Sequence, residues 1–122
     1  MRKMYLSSDK MYKIKNVVME SKYALIEVAE DPTTSPEALD ELAKDPDPDV
    51  KAAVAKNPTT SPETLNTLAK DKNAKVRKAV AENHKTPLKT LKKLKDKDKD
   101  PKVREAARET YYEVLAENIR YI

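Results

Sequence analysis

The sequence predicts an all-α protein: an α-solenoid of stacked helix pairs with a 26-residue repeat and atypical capping helices at both ends. The segment Asp45 to Lys70, DPDPDVKAAVAKNPTTSPETLNTLAK, recurs before and after itself at a 26-residue spacing. Apolar residues in each copy lie three and four positions apart, as on one face of a helix. Of 122 residues 38% are charged, and none is glycine, phenylalanine or tryptophan. This composition suits a thin stack of helices better than a wide globular core.

Residues 1–21 are interpreted as a half-repeat that closes the N-terminal end. Ser7, Ser8 and Asp9 are candidate caps for a helix beginning near Lys10. The apolar and small residues that keep a helical spacing behind them are Ile14, Val17, Val18, Ser21 and Leu25. Leu25 and Ile26 are expected to pack against this half-repeat, because terminal repeats commonly differ from internal ones.

Three repeats are predicted next, at residues 22–45, 46–71 and 72–96, each with two helices. In the second helix, Ser35 and Ser61 are predicted N-caps, and the prolines that follow them suit the first helical position. Asp47 is the predicted cap of the first helix in the middle repeat. The residues expected to form the buried stripes are Leu39, Leu42, Leu65, Leu68, Leu91 and Leu94 in the second helices, and Val50, Ala53, Val54, Val76, Ala79, Val80, Val103, Ala106 and Ala107 in the first.

Residues 97–122 are interpreted as the final helix and C-terminal cap, with one long helix from Pro101 onward. Lys95 to Asp100 alternates in charge sign and predicts a solvated turn. All six tyrosines lie outside the internal repeats: Tyr5, Tyr12, Tyr23, Tyr111, Tyr112 and Tyr121. We expect them to cover the exposed faces of the terminal helices; the alternative is a pair of adhesive ends, since tyrosine is enriched at interfaces.

Composition argues against several classes of function. Without cysteine the chain forms no disulfide, thiolate metal site or catalytic thiol. His84 is the single histidine and is predicted to be an exposed loop residue, with a pH switch or weak ligand as the alternative. We therefore predict no catalytic, cofactor-binding or metal-binding residue. No apolar run reaches the length of a membrane span, and the start does not resemble a signal peptide, so a cytoplasmic protein is expected.

The unit DPDPDVKAAVAKNPTTSPETLNTLAKD resembles the leucine-rich repeat variant family, whose copies read much like DPDPxVRxxVAxNPxTPxxxLxxLAxD. The resemblance covers about residues 22–109. It implies a right-handed superhelix of paired helical segments, related to HEAT and armadillo solenoids. Some members carry an iron–sulfur domain held by cysteines, a feature that a chain without cysteine lacks. The low-glycine, Lys- and Glu-rich composition is typical of heat-stable natural proteins and of designed ones.

Equivalent positions of the second helices change charge from repeat to repeat. In chain order the three series are Glu37, Glu63 and Lys89; Asp40, Asn66 and Lys92; and Glu41, Thr67 and Lys93. Residues 23–50 hold one lysine against nine acidic residues, a net charge of −8, and residues 71–99 hold eleven basic residues against four acidic, a net charge of +7. The second helices are therefore expected to present a face that grades from acidic to basic.

Three functional hypotheses follow. The first is a non-catalytic scaffold that binds a protein or peptide through these nine positions, because second helices line the concave surface of HEAT-like solenoids. The second is nucleic-acid binding through the basic 70–99 region, which adds Lys72, Lys75, Arg77, Lys78 and Lys85 to the three lysines of the face. The third is a designed solenoid without an evolved ligand. A monomer is expected, with weak end-to-end association as the alternative.

Overall fold

The computed structural model describes residues 21–120, and within them the backbone forms seven helices and no strand. In chain order the helices are α1 (Lys22–Glu30), α2 (Pro36–Leu42), α3 (Pro48–Lys56), α4 (Pro62–Leu68), α5 (Ala74–Glu82), α6 (Leu88–Lys97) and α7 (Pro101–Arg120). From α1 to α5, helices of nine residues alternate with helices of seven. The all-α prediction is confirmed, whereas the helix predicted near Lys10 lies outside the described residues.

The long helices stack in chain order. α1 contacts α3, α3 contacts α5, and α5 contacts α7, while the short helices α2 and α4 each contact the long helices next to them in sequence. α6 has ten residues but takes the place of a short helix in the last unit, so it is counted with the short helices; it packs extensively against α7. Each unit therefore contacts its neighbours in the stack, which is the arrangement of an α-solenoid. The right-handed superhelical turn stays a prediction.

Side-chain caps begin the helices where the sequence predicts. Ser35 and Ser61 accept hydrogen bonds from the backbone N–H groups of Ala38 and Thr64, both at 3.2 Å. A proline follows each serine at the first helical position, where the missing N–H costs nothing. Asp47 caps α3 by accepting from the Asp49 N–H at 2.8 Å. These three cap predictions are confirmed.

The core is a continuous row of leucine, valine and alanine between the helix layers. All six predicted leucines are buried, and Leu39, Leu42, Leu65 and Leu91 have no exposed surface. The predicted valines and alanines of the long helices are also buried: Val50, Ala53, Val54, Val76, Ala79, Val80, Val103, Ala106 and Ala107. Because these side chains are small, neighbouring long helices approach one another closely, and the repeat needs no aromatic residue in its core.

Buried asparagines tie each unit to the one before it. The Asn57 side chain donates to the carbonyl oxygens of Ala29 at 2.8 Å and Asp31 at 2.9 Å, and its own oxygen accepts from the Thr59 N–H at 2.8 Å. Asn83 repeats the arrangement one unit later, with the carbonyls of Ala55 and Asn57. The amides donate to the carbonyls of Ala29 and Ala55 near the ends of long helices, and they share the carbonyls of Asp31 and Asn57 with the N–H groups of Thr34 and Thr60.

Replacing Asn57 with aspartate is expected to lower the free energy of unfolding by about 2 kcal/mol, because a carboxylate cannot donate to the two carbonyls it would face. Urea unfolding followed by circular dichroism measures this change. The matched control is N66D, because Asn66 is exposed and accepts its hydrogen bond from Thr90. We expect the control to stay within about 0.5 kcal/mol of the parent; similar losses in both variants would contradict the assigned role of the buried amide.

The first helix within the described residues begins at its N-cap, Ser21. This residue has an extended backbone, with φ −76° and ψ 126°, so the helical spacing that links Ser21 to Leu25 in sequence crosses a helix start. The Ser21 hydroxyl accepts from the Tyr23 N–H at 3.2 Å. The serine side chain thus satisfies a backbone N–H of the first turn that has no partner within the helix. Leu25 is buried, as predicted.

The charged segment Lys95 to Asp100 is not a solvated turn throughout, so that prediction is wrong. α6 continues to Lys97, supported by an ion pair between Lys92 and Asp96 at 2.8 Å. This pair is four residues apart, a spacing that brings side chains together on a helix. Asp98 ends the helix, and its side chain is only 4% exposed because it pairs with Arg77. The alternating charges therefore did not indicate that the segment contains the last turn of α6 and the buried carboxylate of Asp98.

The described tyrosines differ in exposure. Tyr23 is 77% exposed and Tyr112 is 53% exposed. Each lies two residues from a buried residue of its helix, Leu25 and Thr110, which places it on the opposite face. Tyr111 is half-buried and meets Tyr112 edge-on, with ring centroids 5.1 Å apart. The expectation that tyrosines cover the exposed faces of the terminal helices stays a prediction; Tyr5, Tyr12 and Tyr121 lie outside the described residues.

Candidate functional site

The same type of hydrogen bond, between side chains 24 residues apart, joins each short helix to the next and repeats the same relation between them. The Thr64 hydroxyl on α4 donates to Asp40 on α2 at 2.9 Å. One unit later the Thr90 hydroxyl on α6 donates to the side-chain oxygen of Asn66 on α4. The predicted series therefore run from helix to helix across one surface. We call this surface the short-helix face; its members are Glu37, Asp40, Glu41, Glu63, Asn66, Thr67, Lys89, Lys92 and Lys93.

Most of this face is open to solvent, and some of its charges already have partners. Glu41 is half-buried and pairs with Lys44 at 2.7 Å, while the other eight members are exposed. The hydroxyl of Thr67 bonds back to the Glu63 carbonyl at 3.1 Å. Lys92 donates to Asp96 at 2.8 Å, and this hydrogen bond raises the pKa of Lys92. Hydrogen bonds from Lys92 and Lys95 lower the pKa of Asp96 to about 2.

A cleft opens at the basic end of the face. It has a volume of about 570 Å³ and lies between the C-terminal ends of α4 and α6 and the turns that precede α5 and α7. We call it the basic cleft; its lining residues are Asn66, Ala69, Lys70, Asp71, Lys72, Arg77, Lys89, Thr90, Lys93, Leu94, Lys97, Asp98 and Lys99. Three predicted members of the face, Asn66, Lys89 and Lys93, thus belong to the cleft as well.

Six lysines of the cleft form no salt bridge within residues 21–120, although the charge of one of them, Lys72, helps to lower the pKa of Asp71. They are Lys70, Lys72, Lys89, Lys93, Lys97 and Lys99, and all six are exposed. Lysine carries up to three donor protons on a flexible stem, so these groups are available to an incoming anion. The cleft therefore holds positive charge that the described part of the fold leaves uncompensated.

The two acidic residues of the cleft are already paired. Asp71 accepts from Lys51 at 2.9 Å and from the Asn73 N–H at 2.9 Å; burial opposes its ionisation, but these two donors outweigh burial and lower its pKa. Asp98 accepts from Arg77 through Nε at 2.8 Å and Nη2 at 3.2 Å. The carboxylates thus belong to ion pairs that join neighbouring units and do not cancel the charge of the lysines.

The five residues that were predicted to add to a nucleic-acid-binding surface lie in different parts of the structure. Lys72 and Arg77 line the basic cleft, and Lys85 is exposed in the loop after α5. Two others form ion pairs outside the cleft: Lys75 pairs with Asp49, and Lys78 pairs with Glu82 at 2.7 Å. Hydrogen bonds from Lys22 and Lys75 lower the pKa of Asp49 to about 2. Arg77 is buried, and its Nη1 also donates to the Asp71 carbonyl at 2.9 Å. These five side chains do not form one track.

Lys70, Lys97 and Lys99 are cleft residues that the sequence interpretation missed. The signal was present in the one-residue insertion before the final helix, since a spacing of 27 residues makes Lys97 equivalent to Lys70 and Lys99 equivalent to Lys72. The same offset relates Asp98 to Asp71. Aligning the last unit across the insertion would have identified a second row of lysines beside the predicted face.

His84 is exposed in the loop after α5, as predicted. Its Nε2 lies 3.1 Å from a carboxylate oxygen of Glu113, and its Nδ1 lies 3.7 Å from one of Glu117. Across residues 21–120, no group of three or more His, Cys, Asp or Glu side chains is arranged to hold a metal ion. The same part of the chain contains no helix with the length and apolar character to cross a membrane.

The stacked helix pairs and the row of equivalent side chains define an α-helical repeat protein. A family model described as the Leucine Rich Repeat Variant domain matches residues 24–84, which is half of the 122-residue chain. The chain therefore belongs to the leucine-rich repeat variant family, as the resemblance predicted. This repeat family is typically a non-catalytic scaffold. Comparison with curated proteins and with solved structures gave no significant match.

Proposed function

We propose that this protein is a non-catalytic scaffold that binds a segment of a partner protein, or a peptide, on the short-helix face. The observation that carries the proposal is the pair of contacts that join α2 to α4 and α4 to α6, because they make the charge gradient a continuous surface. Its acidic end holds Glu37 and Asp40, and its basic end holds Lys89 and Lys93. By analogy with HEAT-like solenoids, the short helices line the concave side.

A polarised face selects both the charge and the direction of a bound segment. A basic stretch is favoured over Asp40 and Glu41, and an acidic stretch over Lys89 and Lys93. Placing the segment in reverse brings like charges together, which costs binding free energy and suppresses wrong partners. The helices that carry these side chains have a continuous buried core, so the face is organised before the partner arrives. We propose a cytoplasmic monomer that uses no cofactor, as the composition suggests.

The charge distribution favours this proposal over nucleic-acid binding. Duplex DNA carries one negative charge per 1.7 Å or so of axis and therefore needs a long basic track. On the short-helix face, lysines occupy α6, but Glu63 on α4 and Asp40 on α2 follow at once. These acidic residues would repel a phosphate backbone that extends beyond α6. A short protein segment with charges of both signs meets no such conflict.

Two ten-residue peptides of the same composition test the proposal: one joins a block of four lysines to a block of four glutamates through Gly-Ser, and in the other lysine and glutamate alternate on both sides of Gly-Ser. The block centres of the first peptide are about 20 Å apart in an extended chain, which matches two helix-to-helix steps of about 8–10 Å each. We expect fluorescence anisotropy at low salt to show that the block peptide binds at least fivefold more tightly than the alternating peptide. The variant D40K/E41K is expected to abolish this preference.

The control variant is E105K/E109K, which makes the same change in net charge at two exposed positions of α7 that do not belong to the short-helix face. It is expected to keep the preference for the block peptide. Thermal unfolding confirms that each variant is folded before binding is compared. Equal binding of the block and alternating peptides, or equal effects of the two variants, would show that the gradient is a solubility feature and not a docking surface.

A further inference from the structure

The basic cleft concentrates positive charge more strongly than the rest of the short-helix face. Its Arg77 is neutralised by Asp98, and its Asp71 is neutralised by Lys51. The six lysines described above remain, within a volume of about 570 Å³. Like charges held this close repel one another. An anion that enters the cleft relieves this repulsion, and the concave walls strengthen its attraction by focusing the field.

The side chains of the cleft indicate which kind of anion fits. Ala69 and Leu94 contribute apolar surface, and no described lining residue is aromatic, so nothing offers a stacking surface for a nucleic-acid base. The one arginine, Arg77, is committed to Asp98 and to the Asp71 carbonyl, and it has no free fork for two-point binding of a phosphate. The free donors are lysine ammonium groups, which can donate hydrogen bonds to carboxylates that approach from many directions.

We infer that the basic cleft binds an acidic segment of a partner protein, with several carboxylates close together in sequence. The inference rests on the proposed function, because it names the part of the partner that the basic end of the face receives. Lys89 and Lys93 serve both surfaces, whereas Lys70, Lys72, Lys97 and Lys99 belong to the cleft alone. The volume of the cleft lies within the range of about 300–1,000 Å³ that is common for ligand sites.

A fluorescein-labelled peptide with six consecutive glutamates tests the inference, and the variant K70E/K97E changes two equivalent lysines of the cleft without touching the predicted face. We expect the peptide to bind the full chain at 50 mM salt and its Kd to rise at least tenfold in K70E/K97E. The salt dependence of log Kd should also become shallower in the variant, because fewer ammonium groups release counterions on binding.

The matched control is K56E/K85E, in which two exposed lysines outside the cleft receive the same change in charge. Its Kd for the hexaglutamate peptide should stay within threefold of the parent value. Absence of binding at 50 mM salt, or an equal loss in both variants, overturns the inference. If a single-stranded oligonucleotide binds more tightly than the hexaglutamate peptide, and K70E/K97E loses this binding, the cleft is assigned to nucleic acid and the inference of a protein segment is overturned.

Two further results keep this inference separate from the proposed function. K70E/K97E leaves Asp40 and Glu41 unchanged, so the preference for the block peptide over the alternating peptide should persist in that variant even when hexaglutamate binding is lost. Light scattering tests whether a second copy of the chain fills the cleft. A mass that rises with protein concentration and does not fall on addition of hexaglutamate would overturn the acidic-segment assignment.

Discussion

Replacing Arg77 with methionine is expected to lower the free energy of unfolding by about 3 to 5 kcal/mol, because it leaves the Asp98 carboxylate buried without its cation. The side chains of Arg77 and Asp98 are only 7% and 4% exposed. Arg77 also donates to the Asp71 carbonyl, so the substitution removes three hydrogen bonds from α5 to the turns that precede α5 and α7. Urea unfolding at pH 7, followed by circular dichroism, measures the loss.

A second substitution separates the buried charge from the lost packing. In R77M/D98N the residue at position 98 is neutral, and its side-chain oxygen still accepts the Asp100 N–H that Asp98 accepts at 2.9 Å. We therefore expect the double variant to be more stable than R77M alone, as is common when both members of a buried pair are replaced. A double variant that is less stable than R77M would show that the charge is not the source of the effect.

The equivalent pair one unit earlier provides the control for R77M. Lys51 and Asp71 interact at 2.9 Å, but their side chains are 21% and 11% exposed, so solvent screens this pair more than the Arg77 pair. K51M is expected to cost about 1 kcal/mol, the upper end for ion pairs that water reaches. Equal losses in K51M and R77M would mean that burial does not distinguish the two pairs.

Helices, caps and core were predictable because they follow local rules. Ser61 and Pro62 specify the start of α4 through side-chain and backbone geometry that involves neighbouring residues alone. Leu65 and Leu68 lie three residues apart and must share one face of that helix. The 26-residue period then carries this assignment to the equivalent helices. The nine positions of the short-helix face were predictable for the same reason, since equivalent positions of stacked units form rows.

The contacts between units were not predictable from the same rules. Arg77 and Asp98 are 21 residues apart, and their pairing depends on how α5 lies against the loop before α7. In sequence, Arg77 is one basic residue among many, and Asp98 belongs to an alternating charge run. Lys97 was not among the predicted site residues, because a one-residue insertion shifts it out of the 26-residue register. The cleft therefore emerges from the stacking of units and not from any single motif.

Leu65→Ala is expected to lower the free energy of unfolding by about 2 to 5 kcal/mol, since it removes a side chain with no exposed surface from the middle of the core. Leu65 belongs to α4, the central short helix, which has a short helix on either side of it. In a repeat stack, stability is approximately the sum of the repeats and the interfaces between neighbours. A cavity in the central unit thus weakens two interfaces, and we expect urea unfolding to become less cooperative as well as easier.

The surface control is Glu63→Ala in the same helix, where the side chain is exposed and the expected change is within about 0.5 kcal/mol. If L65A cost no more than E63A, the short helices would be loosely attached to a stack of long helices that is stable without them. That outcome would also weaken the functional proposal, because a charge gradient orients a partner only when its helices are held in fixed relation. A large loss in L65A would instead show that the core supporting the long helices also holds the short-helix face in place.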